Sequence, residues 1–255
     1  MAWHGVGVTD IGRVRQSNQD ALAVLNDLNL WIVADGMGGH AGGDVASQLT
    51  VESIESYFRQ HHSSAEDLRE PRTAPTAILR AGIESANQAV RTRAKLQSEL
   101  AGMGTTVVLL YISKDSPFPA TIAHVGDSRA YLLRDGTITP LTRDHTLMED
   151  RIKLGILTPE QAMYHPLRHI LTKGVGIERT AGPDVSTHHL LPGDRVLLCT
   201  DGLCKTMNDE QILQTVQSTE GKSLEAVCQL MIREANRLGG EDNITVVLVS
   251  HQDTG

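Results

Sequence analysis

Five aspartates at the ends of apolar runs could bind cations together. They are Asp20, Asp35, Asp127, Asp201 and Asp242. Any one of them has an ordinary explanation, because Asp-Gly pairs favour turns and residues that flank strands are usually solvated. Five carboxylates at the ends of strands that share a core can converge, and they would then repel one another unless cations neutralise them. Oxygen ligands without histidine or cysteine favour Mg²⁺ or Mn²⁺ over zinc.

The glycines that follow Asp35 leave two chemistries open. They lie in the stretch "GMGGHAGG" at residues 36–43, between an apolar run and the start of a predicted helix. A glycine loop in that position can cradle a phosphate with backbone N–H groups at a helix N-terminus. Alternatively, it lets the backbone approach a metal ion that Asp35 binds, with the carbonyl of Gly36 as a further ligand. The recurrence of acidic strand ends favours the metal.

The bulk composition is that of a globular protein with a hydrophobic core. The chain has 255 residues, of which 40% are hydrophobic and 21% are charged, and we expect a single domain over residues 1–255. The formal net charge is −8, which argues against nucleic acid or an anionic membrane as the main partner. An acidic balance is compatible with a site that gathers divalent cations.

Cysteine usage and the N-terminal sequence predict a cytoplasmic protein. Cys199, Cys204 and Cys228 are odd in number and lack a CxxC spacing, which disfavours a disulfide framework or a zinc knuckle. The start "MAWHGVGVTD" lacks the features of a signal peptide, and no apolar run approaches the ~20 residues of a membrane span. Cys199 and Cys204 flank Asp201 and could be redox-sensitive, but the apolar run around Cys199 favours a packing role.

Short apolar runs that follow one another through turns predict antiparallel sheets. The predicted strands are 21–25, 30–34, 105–112, 120–125, 130–134, 195–199 and 244–250. The predicted helices are 43–61, 75–99 and 222–238, and "RDGT" at 134–137 predicts a hairpin turn. Helices that come in blocks favour α+β layering over a parallel βαβ sheet. Residues 145–180 are predicted to form a helical excursion beside the site.

Seven motifs in a fixed order resemble the protein phosphatase 2C (PPM) family of metal-dependent serine/threonine phosphatases, in its compact bacterial form. They are "GRVRQSNQDA", "VADGMGGHAGG", "GTT", "HVGDSRAY", "LTRDH", "PGDRVLLCTDGL" and "GGEDNITVV". The ordered set is highly specific and covers about residues 5–250. The resemblance implies an α+β fold, namely a four-layer α–β–β–α sandwich in which helices flank two central antiparallel sheets. It also implies a binuclear metal centre at one edge and a flap over about residues 146–180.

The resemblance assigns the core metal ligands residue by residue. Asp35 would bridge both metals, and Gly36 would give its carbonyl oxygen to the second. Asp201 and Asp242 would complete the first metal. Asp20 would support the second metal through bound water.

The resemblance also implies a phosphate-binding residue and an outer metal site. Arg15, five residues before Asp20, matches the arginine that grips the substrate phosphate. Asp127, together with Asp201, matches a third metal site of bacterial members. The expected cofactors are therefore two core Mn²⁺ or Mg²⁺ ions, with an outer site that could hold a third.

Two positions depart from the pattern of the family. Met37 stands where many eukaryotic members have a histidine proposed as the acid for the leaving group, and Gln19 stands where many members have glutamate. The Gln19 departure removes one negative charge near the metals. The Met37 departure leaves a metal-bound water and, less favoured, His40 as candidates for the proton donor.

The predicted activity is that of a protein-serine/threonine phosphatase acting on phosphoserine and phosphothreonine. Two cations would activate a water for in-line attack on phosphorus while Arg15 absorbs phosphoryl charge. The expected partners are phosphorylated proteins, including a bacterial serine/threonine kinase that the enzyme opposes or the targets of that kinase, and we expect a monomer. Two alternatives stay open: a phosphatase for a small metabolite or bacterial regulator, and an inactive scaffold that binds phosphoproteins. The intact acidic set disfavours the scaffold.

Overall fold

The computed structural model describes residues 2–38, 42–61, 75–113, 119–219 and 221–252. Their strands form two antiparallel sheets, and their long helices lie on the outer face of each sheet. His40, the less favoured candidate for the proton donor, lies outside the described residues. None of the helices in the described ranges combines the length and the apolar character that crossing a bilayer requires.

The first sheet contains five strands in the order β1–β11–β10–β7–β8. Their bounds are β1 Ala2–Asp10, β7 Arg129–Arg134, β8 Thr137–Pro140, β10 Arg195–Cys199 and β11 Ile244–Gln252. The turn between β7 and β8 is the predicted hairpin, with positive φ angles of 49° at Asp135 and 71° at Gly136. Two positive φ angles in a two-residue turn match the right-handed twist of the flanking strands.

The second sheet follows the order β2–β3–β5–β6–β9, and the short strand β4 also pairs with β3. Its strands are β2 Asp20–Leu25, β3 Leu30–Met37, β4 Gly104–Thr105, β5 Val107–Ile112, β6 Pro119–Val125 and β9 Asp184–His189. The strand predicted for 105–112 is confirmed over Val107–Ile112, but it is not continuous, because the ladder is interrupted at Thr106. The backbone N–H of Thr106 donates instead to the carbonyl of Asp35 at 2.9 Å.

Four longer helices cover the two sheets. They are α1 Gly43–His61, α2 Pro75–Leu96, α6 Asp209–Gln217 and α7 Leu224–Arg237, and the shorter helices are α3 Leu147–Lys153, α4 Pro159–Met163 and α5 Asp201–Cys204. The predicted bounds of α1 are confirmed, while α2 ends before the predicted residue 99 and a 3-10 turn follows at Ser98–Leu100. Helix α7 begins two residues later than predicted, because the Ser223 hydroxyl accepts from the N–H of Ala226 and caps it.

The alternating side chains of the strands fill three apolar layers. Along β3, Leu30, Ile32 and Ala34 pack with the residues of α1 and α2, whereas Trp31 and Val33 pack between the sheets. Strands β10 and β11 alternate in the same way between the inter-sheet layer and α6 and α7. A period of two is what a strand buried on both faces requires. The predicted α–β–β–α sandwich is confirmed.

Candidate metal centre

The predicted aspartates converge at one edge of the two sheets. Asp35, Asp127, Asp201 and Asp242 line a cavity of about 740 Å³. Asp20 lies directly opposite Asp35 in the pairing of β2 with β3. Asp20 and Asp35 lie on strands of the second sheet, and Asp201 and Asp242 adjoin strands of the first. Asp127 lies between β6 and β7. The expectation that separate strand ends would bring carboxylates together thus agrees with the geometry.

The backbone N–H and carbonyl groups of Asp35 are both held by two consecutive threonines, Thr105 and Thr106. Its carbonyl accepts from the Thr106 N–H at 2.9 Å and from the Thr105 hydroxyl at 2.7 Å, and its own N–H donates to the Thr106 hydroxyl at 3.2 Å. Three hydrogen bonds to one residue leave its backbone little freedom. The carboxylate therefore starts from a fixed point at the cavity wall.

Asp20 is tied to the opposite sheet by one of its two carboxylate oxygens. Its Oδ2 accepts from the hydroxyls of Thr200 at 2.9 Å and Thr245 at 2.6 Å. Its Oδ1 is buried and accepts no hydrogen bond from any donor in the described ranges. One oxygen thus positions the side chain, and the other is left for a different partner.

Asp201 divides its oxygens in a similar way. Its Oδ2 lies 2.5 Å from the ammonium nitrogen of Lys205, four residues later, and the same nitrogen donates to Oδ2 of Asp127 at 2.8 Å. The Oδ1 atom of Asp201 is buried and has no hydrogen-bond donor among the residues that the structure describes. Lys205 therefore links the two carboxylates that were predicted to hold an outer ion.

Arg15 and Asp242 form an ion pair at the mouth of the cavity. The Arg15 Nη2 atom donates to Oδ2 of Asp242 at 2.7 Å, and 53% of the Arg15 side chain is exposed. Oδ1 of Asp242 accepts from the N–H of Asn243 at 2.9 Å. A carboxylate offers about four acceptor sites, so these two bonds leave capacity on Asp242 for a cation. The predicted phosphate-binding residue thus lies beside a predicted ligand.

The glycine at position 36 is required by close packing. Its N–H donates to the carbonyl of Gln19 at 3.1 Å, and a Cβ atom there would collide with the carbonyl of Gly43. Gly36 lines the cavity with its backbone. Met37 also lines the cavity, and the methyl end of its side chain lies so close to Gly174 that a Cβ there would meet it at 2.6 Å. The thioether of Met37 supplies an apolar contact and no transferable proton.

The carboxylates perturb one another strongly. Burial, opposed by hydrogen bonds from Thr245 and Thr200, raises the pKa of Asp20 to about 7, with further contributions from Asp201 and Asp242. Burial and then the charges of Asp201, Asp20 and Asp127 hold the pKa of Asp35 well above its ordinary value. Burial lowers the pKa of Lys205, but the charges of Asp201 and Asp127 outweigh that effect and raise it overall. The raised pKa values of all three groups indicate an excess of negative charge in the cavity.

Divalent cations fit the carboxylates of this cavity. A buried carboxylate oxygen without a partner is costly, and Oδ1 of Asp20 and Oδ1 of Asp201 are two such atoms at one site. Hard oxygen donors suit Mg²⁺ and Mn²⁺. In the described part of the chain, however, no three carboxylates or imidazoles already stand together as a coordination cage. The carboxylates are near one another, and Arg15 and Lys205 hold three of them by ion pairs.

Several residues of the site were not predicted. Lys205 follows Asp201 by one helical turn, which is a spacing that sequence can reveal. Thr200 and Thr245 meet Asp20 across the sheets, and His169 reaches the cavity from the predicted flap. These three depend on how distant segments pack, so local patterns carry no signal for them.

The fold and the cavity first define a class of protein. A two-sheet sandwich whose edge presents carboxylates for divalent cations and an arginine for an anion is suited to metal-assisted chemistry on phosphate. The comparisons then identify the family. The protein phosphatase 2C family model matches residues 12–237, so the chain belongs to that family. Membership confirms the predicted class of enzyme, a metal-dependent serine/threonine protein phosphatase.

Individual relatives agree with this assignment along nearly the whole chain. The serine/threonine phosphatase stp of Listeria welshimeri is 36% identical over 94% of this chain and 93% of its own length. The S. agalactiae serine/threonine phosphatase structure has a TM-score of 0.86 at 34% identity, over 98% of this chain and all of that one. The catalytic domain of the phosphatase PstP, in complex with two manganese ions, has a TM-score of 0.82 at 32% identity, over 99% of both chains.

Proposed function

We propose that this phosphatase removes phosphate from phosphoserine and phosphothreonine in proteins with two divalent cations held by Asp20, Asp35, Gly36, Asp201 and Asp242. The observation that carries the proposal is the pair of buried oxygens on Asp20 and Asp201 that have no hydrogen-bond partner among the described residues, with Asp35 in the same cluster of interacting charges. The manganese ions of the PstP structure support a core of the same kind here.

The residues of this chain have distinct tasks in that site. Bound divalent cations supply a water of lowered pKa and positive charge for phosphoryl oxygens. Thr105 and Thr106 fix the backbone of Asp35, and Thr200 and Thr245 fix Asp20. A site whose ligands are held in advance loses less free energy to reorganisation when the charge on the phosphoryl group changes.

Arg15 is proposed to bind the substrate phosphate. Its guanidinium lies at the cavity wall and is half exposed, so an incoming anion can reach it. The planar fork matches two phosphate oxygens. Arg15 now contacts one carboxylate oxygen of Asp242, at 2.7 Å. A cation bound to Asp242 would weaken this ion pair and make Arg15 available to the substrate.

The proposed partners are phosphorylated proteins that a bacterial serine/threonine kinase has modified. Named phosphatases of bacterial origin among the relatives support this assignment. The cavity opens to solvent between the strand ends and the predicted flap, from which His169 and Leu171 line it. A phosphorylated side chain on an extended segment could reach such a site without unfolding of the enzyme.

Hydrolysis assays with and without metal test the proposal. Purified protein is expected to hydrolyse para-nitrophenyl phosphate and a phosphothreonine peptide with Mn²⁺ or Mg²⁺ and to stop with EDTA. Removal of a residue that hydrogen-bonds a metal ligand typically costs roughly 10–100-fold in activity or metal affinity. Asp35→Asn changes a proposed ligand itself and should lower activity by more than that. Asp209→Asn, on the exposed first turn of α6, is the matched control and should retain activity. Full turnover in metal-free buffer would rule out the two-cation site, and turnover of only small phosphate esters would favour a metabolite phosphatase.

A further inference from the structure

Lys205 extends from the end of α5 into the cavity beside two acidic residues. Its backbone N–H donates to the carbonyl of Asp201 at 2.8 Å, so the side chains of Lys205 and Asp201 lie on the same face of one helical turn. The ammonium nitrogen lies 2.5 Å from Oδ2 of Asp201 and 2.8 Å from Oδ2 of Asp127. The Asp127 side chain is only 5% exposed, whereas 32% of the Lys205 side chain is exposed, so the acidic end of this ion pair is buried and the lysine reaches it from the surface.

These two carboxylates are the ones predicted to hold a third, outer cation. A Mg²⁺ ion on the same oxygens would stand at about 2.0–2.1 Å from each. The ammonium group already occupies the space beside both Oδ2 atoms and supplies one of the two positive charges that a divalent ion would bring. Lys205 and a third divalent cation therefore compete for the same position, and the residues at the outer position do not fit an ion.

We propose that the ammonium group of Lys205 takes the place of the outer third cation, so that this phosphatase binds two divalent cations and no more. This inference rests on the proposed function, because it concerns the outer edge of the same metal site. It replaces the expectation of an outer metal ion at Asp127 and Asp201. Lys205 acts through Asp127 and Asp201 and is a positioning residue.

The division of oxygens on Asp201 supports this assignment. Oδ2 binds Lys205, while Oδ1 is buried without a donor in the described ranges. The same carboxylate can thus hold a core cation through Oδ1 and the ammonium group through Oδ2. An ammonium on the outer oxygen would fix the carboxylate plane and leave the inner oxygen available.

A tethered cation differs from a metal ion in its dependence on concentration. A third divalent ion with weak affinity would be lost when free metal falls, whereas Lys205 is covalently part of the chain. The charge beside Asp127 would therefore persist at metal concentrations that fill only the core. Activity is expected to saturate together with the two tight ions and to show no later rise at millimolar metal.

Titration calorimetry with Mn²⁺ tests the inference through stoichiometry rather than turnover. Wild-type protein is expected to bind two Mn²⁺ ions. Lys205→Ala and Lys205→Asp should each bind one additional, weaker Mn²⁺, because both uncover the Asp127 and Asp201 oxygens. In the Lys205→Asp background, Asp127→Asn should abolish that extra ion. Lys222→Ala removes an exposed lysine from the loop before α7 and is the matched control, with two ions expected.

The outcomes separate this inference from the proposed function. Three ions on the wild type, reduced to two by Asp127→Asn, would overturn the role of Lys205 and leave the two-cation core intact. Two ions on both Lys205 variants would also overturn it. Circular dichroism shows whether the Lys205 variants fold. If they do not, the stoichiometries of the wild type and of Asp127→Asn still decide the question, because the inference requires two ions on both. No Mn²⁺ binding by the wild type would remove the core proposal as well.

Discussion

The carboxyl group of Asp20 accepts two hydrogen bonds that connect the sheets. It also binds a proton that would compete with a cation for the same group. Its pKa of about 7 in the folded state lies well above the ordinary value of 3.8. Between about pH 4 and pH 7 the folded protein therefore binds a proton that the unfolded chain has released. The stability of the metal-free protein should fall as pH rises through that window, because the unfolded state then binds fewer protons than the folded state.

The same proton predicts the pH dependence of metal affinity. Ligands must be deprotonated to bind a cation, and the deprotonated fraction of a group with a pKa of about 7 rises from about one-tenth at pH 6 to about nine-tenths at pH 8. Mn²⁺ affinity should therefore increase by at least roughly tenfold across that range. Calorimetry at both pH values, in buffers of different ionisation enthalpy, measures affinity and proton release. Asp20→Asn should show a smaller pH dependence, and a flat profile in the wild type would contradict the argument.

Replacement of Arg15 should lower activity on a phosphorylated substrate more than it lowers metal affinity. Hydrogen bonds to charged groups contribute about 1.5–3 kcal/mol, so Arg15→Ala is expected to lower kcat/KM on a phosphopeptide by about 10- to 150-fold. Mn²⁺ affinity should change little, because the guanidinium is not a ligand. Arg15→Lys should recover part of the loss, since an ammonium supplies charge without the planar fork. Arg13→Ala, an exposed neighbour, is the control; equal kinetics for Arg15→Ala and wild type would remove Arg15 from the site.

Residue type and position predicted most of the acidic cluster, but not its partners. Asp35 and Asp201 each follow an apolar run directly before glycine, and this recurrence is visible in the sequence. The hydroxyls that hold Asp20 come from residues 180 and 225 positions away. Pairing at that distance is set by the packing of the sheets, so a local pattern cannot reveal it.

At the level of elements, alternation and helical spacing identified the buried strands and the long helices α1, α2 and α7, whereas α6 was not predicted. Strand β1 was missed because Gly5 and Gly7 interrupt its apolar pattern. Gly5 is there for a packing reason, since a Cβ atom at that position would collide with the indole of Trp31. Strand β9, "DVSTHH", was missed because it is polar and largely exposed, and neither feature is typical of a core strand.

The predicted flap, residues 146–180, presents apolar side chains beside the cavity. It contains α3 and α4. One isolated bridge, Thr146 with Leu171, joins two parts of the flap, and a second, Thr105 with Val175, connects the flap to β4. Tyr164 is 81% exposed and Met163 is 64% exposed. Neither residue lines the cavity itself, and large apolar side chains exposed in this way are typical of a surface that contacts a ligand or partner.

Substitution of Tyr164 should therefore separate large substrates from small ones. Tyr164→Ser is expected to lower kcat/KM on a phosphothreonine peptide by up to roughly tenfold, equivalent to about 1.4 kcal/mol of buried apolar contact. Hydrolysis of para-nitrophenyl phosphate should be nearly unchanged, because Tyr164 is not one of the residues that line the cavity in which a small ester would bind. Leu96→Ser, at the end of α2 and 79% exposed, is the control for loss of an exposed apolar residue. Equal losses on both substrates would show that the flap residue supports the fold instead.

At the scale of the whole molecule, the site is one place where polar groups connect the two sheets. Asp20 and Asp35 belong to the second sheet, whereas Asp201 follows β10 and Asp242 precedes β11 in the first. Elsewhere the sheets meet mainly through apolar side chains that include Trp31, Leu198 and Val247, with the Asn26 side chain also hydrogen-bonded to the backbone of Gly5. Apolar packing is non-directional, so the hydrogen bonds from Thr200 and Thr245 to Asp20 specify how the two edges align.

Cations bound to carboxylates of both sheets should therefore stabilise the entire sandwich. At a Mn²⁺ concentration 100 times the dissociation constant, preferential binding to the folded state contributes about 2.7 kcal/mol, which corresponds to an increase in Tm of about 5–10 °C for a chain of this size. Asp35→Asn should lose most of that shift, and Asp209→Asn should keep it. Hydrogen exchange locates the effect: amides at the site ends of both β3 and β10 should gain protection with Mn²⁺, because the ions connect them. Protection confined to one sheet, or an undiminished shift in Asp35→Asn, would mean that the cations bind to one edge only and do not link the sheets.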